Sequence, residues 1–99
     1  MAQHAHFTYL LRCGDGSYYA GYTVDPARRL AAHRRGLASR YTRDRGPFRL
    51  AAVWRCTTLS AALRLERLLK RMPHTRKRRL AEGAALSQML PRAKPLGSR

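Results

Sequence analysis

At 99 residues the chain has room for one small domain with a modest core and no second domain. Its 21 Lys and Arg against 5 Asp and Glu give a formal charge of +16, so the surface repels itself unless a polyanion is near, and nucleic acid is the natural partner. An anionic membrane is the rival polyanion, but with no long apolar span, signal-like start or lipidation motif the chain reads as cytoplasmic and nucleoid-associated.

Phe7 to Cys13 is a strand-like run, Ser17 to Thr23 is a second, and Gly14-Asp15-Gly16 between them signals a hairpin. Loop length matters. A two-residue loop would put Tyr9 and Tyr19 on opposite faces; a three-residue loop with Gly16 at positive φ pairs Cys13 with Ser17 and puts both tyrosines on one face. The second arrangement is expected. Cys13 and Cys56 lack metal spacing and sit in apolar runs, which predicts buried, reduced thiols.

Asp25 is a good N-cap, Pro26 suits a first helical position and Gly36 a terminator, so a helix is expected from Pro26 to about Arg35. Its apolar stripe would be Ala27, Leu30 and Ala31, while Arg29 and His33, four residues apart, share another side. Arg34 to Arg49 is a basic loop in which Tyr41 could stack a base, against the plainer reading of a solvated connection. Leu50 to Cys56 predicts a buried strand in the middle of the sheet. A helix follows from Leu59 to Met72, stopped by Pro73, with Ala62, Leu63, Leu65, Leu68, Leu69 and Met72 apolar and Arg64, Arg67 and Arg71 gathered on one side with Ser60. Thr75 would cap a short basic helix. Residues 1–90 are read as one domain, and 91–99 as a flexible basic tail.

An acid census isolates one carboxylate. Asp15 belongs to the turn, Asp25 to the cap, Asp44 to the arginine loop and Glu82 to the C-terminal segment, which leaves Glu66. A carboxylate on the apolar side of a helix is costly unless a cation meets it, and either Arg29 or a divalent metal could do so. A lone carboxylate leaves most coordination positions to water and phosphate oxygens, which suits Mg²⁺. Two phenols, a guanidinium, an imidazole and an acid in a cationic protein are parts for phosphodiester hydrolysis. Each also has an ordinary reading: tyrosines at a sheet rim, a helix-surface His33, a solvent-facing Arg29, a structural Glu66–Arg29 ion pair.

The order of these residues resembles the GIY-YIG nuclease family, and its small stand-alone bacterial members in particular. Phe7-Thr8-Tyr9 stands where the family has Gly-Ile-Tyr and keeps only the tyrosine, whereas Tyr19-Ala20-Gly21 differs from Tyr-Ile-Gly at one position. Thr23, Asp25, Arg28-Arg29-Leu30, His33, Gly36, Tyr41-Thr42-Arg43 and Leu65-Glu66-Arg67 with Lys70 continue the pattern. The resemblance implies an α/β chain of the α+β type, a three-stranded antiparallel sheet flanked by helices. It also implies catalytic roles for Tyr9, Tyr19, Arg29, His33 and Glu66, with Glu66 holding Mg²⁺ or Mn²⁺. Nucleic-acid contacts are expected from Arg28, Arg35, Arg40, Tyr41, Arg43, Arg45 and Lys70. The expected activity is metal-dependent, structure-selective cleavage of DNA in repair or recombination. The alternatives are an inactive nucleic-acid-binding module of the same fold and a basic ribonucleoprotein component.

Overall fold

A three-residue turn sets the register of the sheet. The computed structural model describes residues 5–84. In it β1 (His6–Arg12) and β2 (Tyr18–Thr23) pair antiparallel, with Tyr9 opposite Gly21 and Leu11 opposite Tyr19. The Cys13 amide donates to the Ser17 carbonyl at 2.9 Å, and Gly16 takes φ +86°, which glycine adopts without steric penalty. The expected hairpin is the one observed. Both cysteines are buried and free.

The third strand, β3 (Arg49–Cys56), pairs antiparallel with the other side of β1, giving the order β2-β1-β3. This corrects the expectation of a central β3. The central strand is β1, whose residues from Thr8 to Leu11 are all buried, while β3 is an edge with Val53 41% exposed. An apolar run does not distinguish a strand covered on both faces from one half covered. In β3 the run includes the small Ala51 and Ala52, and a bulge opposite Leu10 and Leu11 leaves Ala51 out of the pairing.

Among the described residues three helices complete the α+β fold. The first, α1 (Pro26–Arg34), starts where the Asp25 carboxylate accepts from the Arg28 amide at 3.1 Å, a cap of about 1 kcal/mol. It ends where the amides of Gly36 and Leu37 donate to the carbonyls of His33 and Ala32, with Gly36 at φ +76°. The expected apolar stripe is corrected here, because Ala27 and Ala31 are exposed and only Leu30 of the three packs inward. The side chain α1 buries is His33. So polar a helix is held by its two caps, Leu30 and the hydrogen bonds of an imidazole.

Thr58 caps α2 (Leu59–Arg71) by accepting from the Ala61 amide at 3.0 Å, and Ala62, Leu65 and Leu69 form its buried side. The third described helix, α3 (His74–Ala81), begins directly after Pro73, whose carbonyl accepts from the Arg76 and Lys77 amides. Thr75 therefore lies inside the helix and caps nothing. The alternation of strand side chains gives two cores. Leu10, Tyr18, Ala20 and Cys56 pack with α2 and with Leu80 of α3; Tyr9, Leu11, Cys13 and Phe48 pack with Tyr19, Leu30 and Leu50. Full burial of Leu10 and Leu69 contributes about 2 kcal/mol each. No described helix is long and apolar enough to cross a membrane. The expected domain limit at residue 90 and the tail 91–99 lie outside the described residues.

Candidate active site

The hairpin register places Tyr9 and Tyr19 on one face, with ring centroids 6.4 Å apart. Gly21, opposite Tyr9, makes room for this. A Cβ there would collide with the Tyr9 ring and hydroxyl, so the phenol lies across a residue that has no side chain. Gly21→Ala is expected to cost about 1–3 kcal/mol, the usual penalty for overpacking, and to push the phenol off its partner. An unchanged thermal unfolding midpoint would contradict that close approach.

From α1, His33 reaches under the sheet with 1% exposure, and its Nε2 is hydrogen-bonded to the Tyr9 hydroxyl at 2.8 Å. The plainer reading of a surface histidine is excluded. The ring also meets Tyr19 edge-on at 5.4 Å and Phe48 at 5.9 Å. Nδ1 lies 2.8 Å from the hydroxyl of Thr42, which is fully buried although it comes from the arginine loop. Thr42 and Gly21 are the site residues that sequence reasoning missed. Both stood inside recognised motifs, but only three-dimensional contact gives them a task.

Charges close around the phenol. Burial, then the neighbouring Tyr19, and more weakly Glu66, push the Tyr9 pKa up, against the pull of the Arg29 guanidinium. Tyr9 is therefore a neutral hydroxyl at physiological pH. His33 moves the other way, lowered from 6.5 first by burial and then by Arg29, which keeps the imidazole neutral. Arg29, half-buried on α1, and Glu66, half-buried on α2, both bear on the Tyr9 pKa, in opposite directions and less than burial and Tyr19 do. The Glu66–Arg29 ion pair is not formed. Glu66 Oε2 instead meets Lys70 Nζ at 3.2 Å, one helical turn on, with side-chain exposures of 18% and 53%.

Among the described residues no three His, Cys, Asp or Glu gather as a metal cage. A cation bound here would have to keep most of its shell in water and phosphate oxygens and take one protein carboxylate. Glu66 is the carboxylate whose charge bears on Tyr9, and its Oε2 is held by Lys70 Nζ, which a metal ion would have to displace.

The predicted nucleic-acid contacts divide in two. Arg28, Arg35, Arg40 and Arg43 are exposed on α1 and the loop that follows. Tyr41 and Arg45 are engaged within the protein: Tyr41 stacks on Tyr19 at 5.8 Å, and the Arg45 guanidinium lies 4.2 Å from the Tyr41 ring centroid. Arg45 also meets Asp15 of the hairpin turn at 2.6 Å. Hydrogen bonds from Ser17, and then Arg45, lower the Asp15 pKa to about 2. A cleft of about 610 Å³ beside this contact is lined by Arg40, Tyr41, Asp44 and Arg45, and by none of the five site residues. It flanks the site without forming it.

Comparison with known proteins agrees with this fold. A family model described as the GIY-YIG catalytic domain matches residues 5–79. The UPF0213 protein BH0048 of Halalkalibacterium halodurans is 44% identical over 75 residues, which are 76% of this chain and 80% of that protein. The solution NMR structure of the UPF0213 protein BH0048 from Bacillus halodurans superposes with a TM-score of 0.52 at 36% identity, covering 92% of this chain and 99% of that one. The NMR structure of the protein EF2693 from E. faecalis gives 0.57 at 29% identity, with 94% of each chain covered. The chain belongs to the GIY-YIG family, a nuclease fold, beside small bacterial UPF0213 proteins.

Proposed function

We propose that the protein is a metal-dependent DNA endonuclease that recognises DNA structure rather than base sequence and acts in repair or recombination. The observation that carries this reading is the buried pair of Tyr9 and His33, hydrogen-bonded at 2.8 Å, with a guanidinium and a carboxylate acting on the same phenol. A tyrosine with a raised pKa is a poor base by itself, but it can take a proton from water while giving its own to an acceptor. Neutral His33 is that acceptor. As the water oxygen bonds to phosphorus, the leaving sugar oxygen departs with the electron pair of its broken bond and takes a proton from solvent water, while the attacking water's proton passes to Tyr9 and the Tyr9 proton to His33 Nε2.

Arg29 binds the scissile phosphate and offsets its developing charge. The Tyr19 hydroxyl orients the same phosphate. Glu66 would hold Mg²⁺ or Mn²⁺, which when bound neutralises charge on the phosphate oxygens. The exposed Arg28, Arg35, Arg40 and Arg43, with Lys70, track the backbone, while Tyr41 and Arg45 offer a stacking surface at the edge of the site.

The test is a cleavage panel of branched, flapped and linear DNA and matched RNA, each with Mg²⁺, Mn²⁺ or chelator. Metal-dependent nicking that favours branched or flapped DNA is expected. Binding without cleavage in every metal would assign the chain to an inactive module of the same fold, a reading the Glu66–Lys70 ion pair favours. Preference for RNA at matched salt, with ribosome co-purification, would mark a ribonucleoprotein component.

A further inference from the structure

Thr42 is the anomaly of the arginine loop. Its neighbours Tyr41 and Arg43 are exposed, yet its own side chain has no exposure at all. Local turns bring it in: the Tyr41 amide donates to the Ser39 hydroxyl at 3.1 Å, the Arg43 amide to the Arg40 carbonyl at 3.3 Å, and the Arg45 amide to the Thr42 carbonyl at 3.1 Å. What the buried hydroxyl does follows from its two partners. It lies 3.4 Å from the Ser39 carbonyl oxygen and 2.8 Å from His33 Nδ1.

A carbonyl oxygen can only accept. When the Thr42 hydroxyl gives its proton to the Ser39 carbonyl, the lone pairs of Oγ1 are left to accept from Nδ1–H. A neutral imidazole carries one proton, so Nε2 presents a lone pair, and the Tyr9 hydroxyl donates to it. The chain of donors runs in one direction from Tyr9 through His33 and Thr42 to Ser39. With the opposite tautomer, Nε2–H would occupy a lone pair of the Tyr9 oxygen, and the phenol would have no acceptor for its own proton.

We propose that Thr42 is a positioning residue that fixes His33 in the Nδ1–H tautomer, aiming the Tyr9 proton at Nε2 and leaving the phenol oxygen free to accept from the attacking water. The catalytic consequence rests on the nuclease reading; the tautomer does not. Thr42 acts wholly through His33 and touches no substrate. Its place between Tyr41 and Arg43 also ties the phosphate-tracking loop to the proton acceptor, so the loop must be ordered for His33 to be correctly poised.

Long-range ¹H–¹⁵N correlation spectra of His33, at a pH where it is neutral, read the tautomer directly and need no activity. In the wild-type protein Nδ1 is expected to be the protonated nitrogen and Nε2 the bare one. Thr42→Val keeps the shape and removes the acceptor, and should move the population toward Nε2–H; Thr42→Ser should keep the wild-type pattern. In nicking assays Thr42→Val is expected to lower kcat at least about tenfold with KM unchanged, and Thr42→Ser to restore most of it. A wild-type His33 protonated on Nε2, or a Thr42→Val protein that keeps the Nδ1–H tautomer, overturns the proposal. Full kcat in Thr42→Val despite a changed tautomer overturns the catalytic part. Correct tautomers without cleavage by the wild-type protein would support the assignment of Thr42 and sink the nuclease reading alone.

Discussion

Glu66→Gln and Arg29→Ala are each expected to reduce nicking by at least about 10²–10³-fold, the usual loss when a charge aimed at the transition state is removed. Stability should hardly change. Glutamine keeps the size of Glu66, and the ion pair given up with Lys70 is an i,i+4 contact worth about 0.3–0.5 kcal/mol. Binding should move in opposite directions in the two variants, which separates affinity from chemistry. Glu66→Gln removes one negative charge, taking the formal +16 to +17, so DNA affinity holds or rises while cleavage disappears. Arg29→Ala takes +16 to +15 and should reduce the salt dependence of binding by about one phosphate contact. Plasmid nicking alongside fluorescence anisotropy measures both. Wild-type cleavage rates in either variant would count decisively against the role assigned here.

Tyr9→Phe should abolish the proton path and cost about 10²–10⁴-fold in kcat, the range for a positioned acid or base. The phenylalanine ring fits the space over Gly21, but it leaves His33 Nε2 buried without a donor, a penalty of about 1–3 kcal/mol. A folded but less stable protein is the expected result, with the loss in kcat far exceeding the loss in stability. The wild-type pH profile bears on the same path. Burial and Arg29 lower the His33 pKa, so the imidazole remains a neutral acceptor to below pH 6.5, and activity should fall only as more acidic solution protonates it. Retention of full activity by Tyr9→Phe would show that the water loses its proton elsewhere.

Much of this arrangement was legible in the chain, for reasons specific to particular residues. Gly14-Asp15-Gly16 predicted the turn because loop length and strand parity together decide which face each tyrosine occupies. Asp25, Pro26 and Gly36 bounded α1 to within a residue, since caps act on amides and carbonyls within one turn. Arg29 and His33 were paired by helical spacing alone. The misreadings share a different cause. Ala27 and Ala31 look like a buried stripe and are exposed, and the apolar β3 looks central and is an edge, because hydrophobicity names a preference for cover without naming the cover. For Glu66 the chain left two partners open, Arg29 or a divalent metal, and the cation that meets it in the structure is Lys70 of its own helix.

The amino-acid sequence by itself determined the cationic surface, the hairpin register, the start and stop of α1 and α2, the family resemblance and the residues that carry it. These depend on composition, or on backbone groups a few positions apart, where bonded geometry leaves few choices. Only the tertiary structure decided that β1 lies at the centre, that His33 is buried beneath Tyr9, that Gly21 is the space the phenol occupies, and that Thr42 closes the hydrogen-bond chain. Each joins groups 9 to 24 residues apart in sequence or depends on which faces pack together. Such contacts come from shape and burial at long range, which no local pattern encodes.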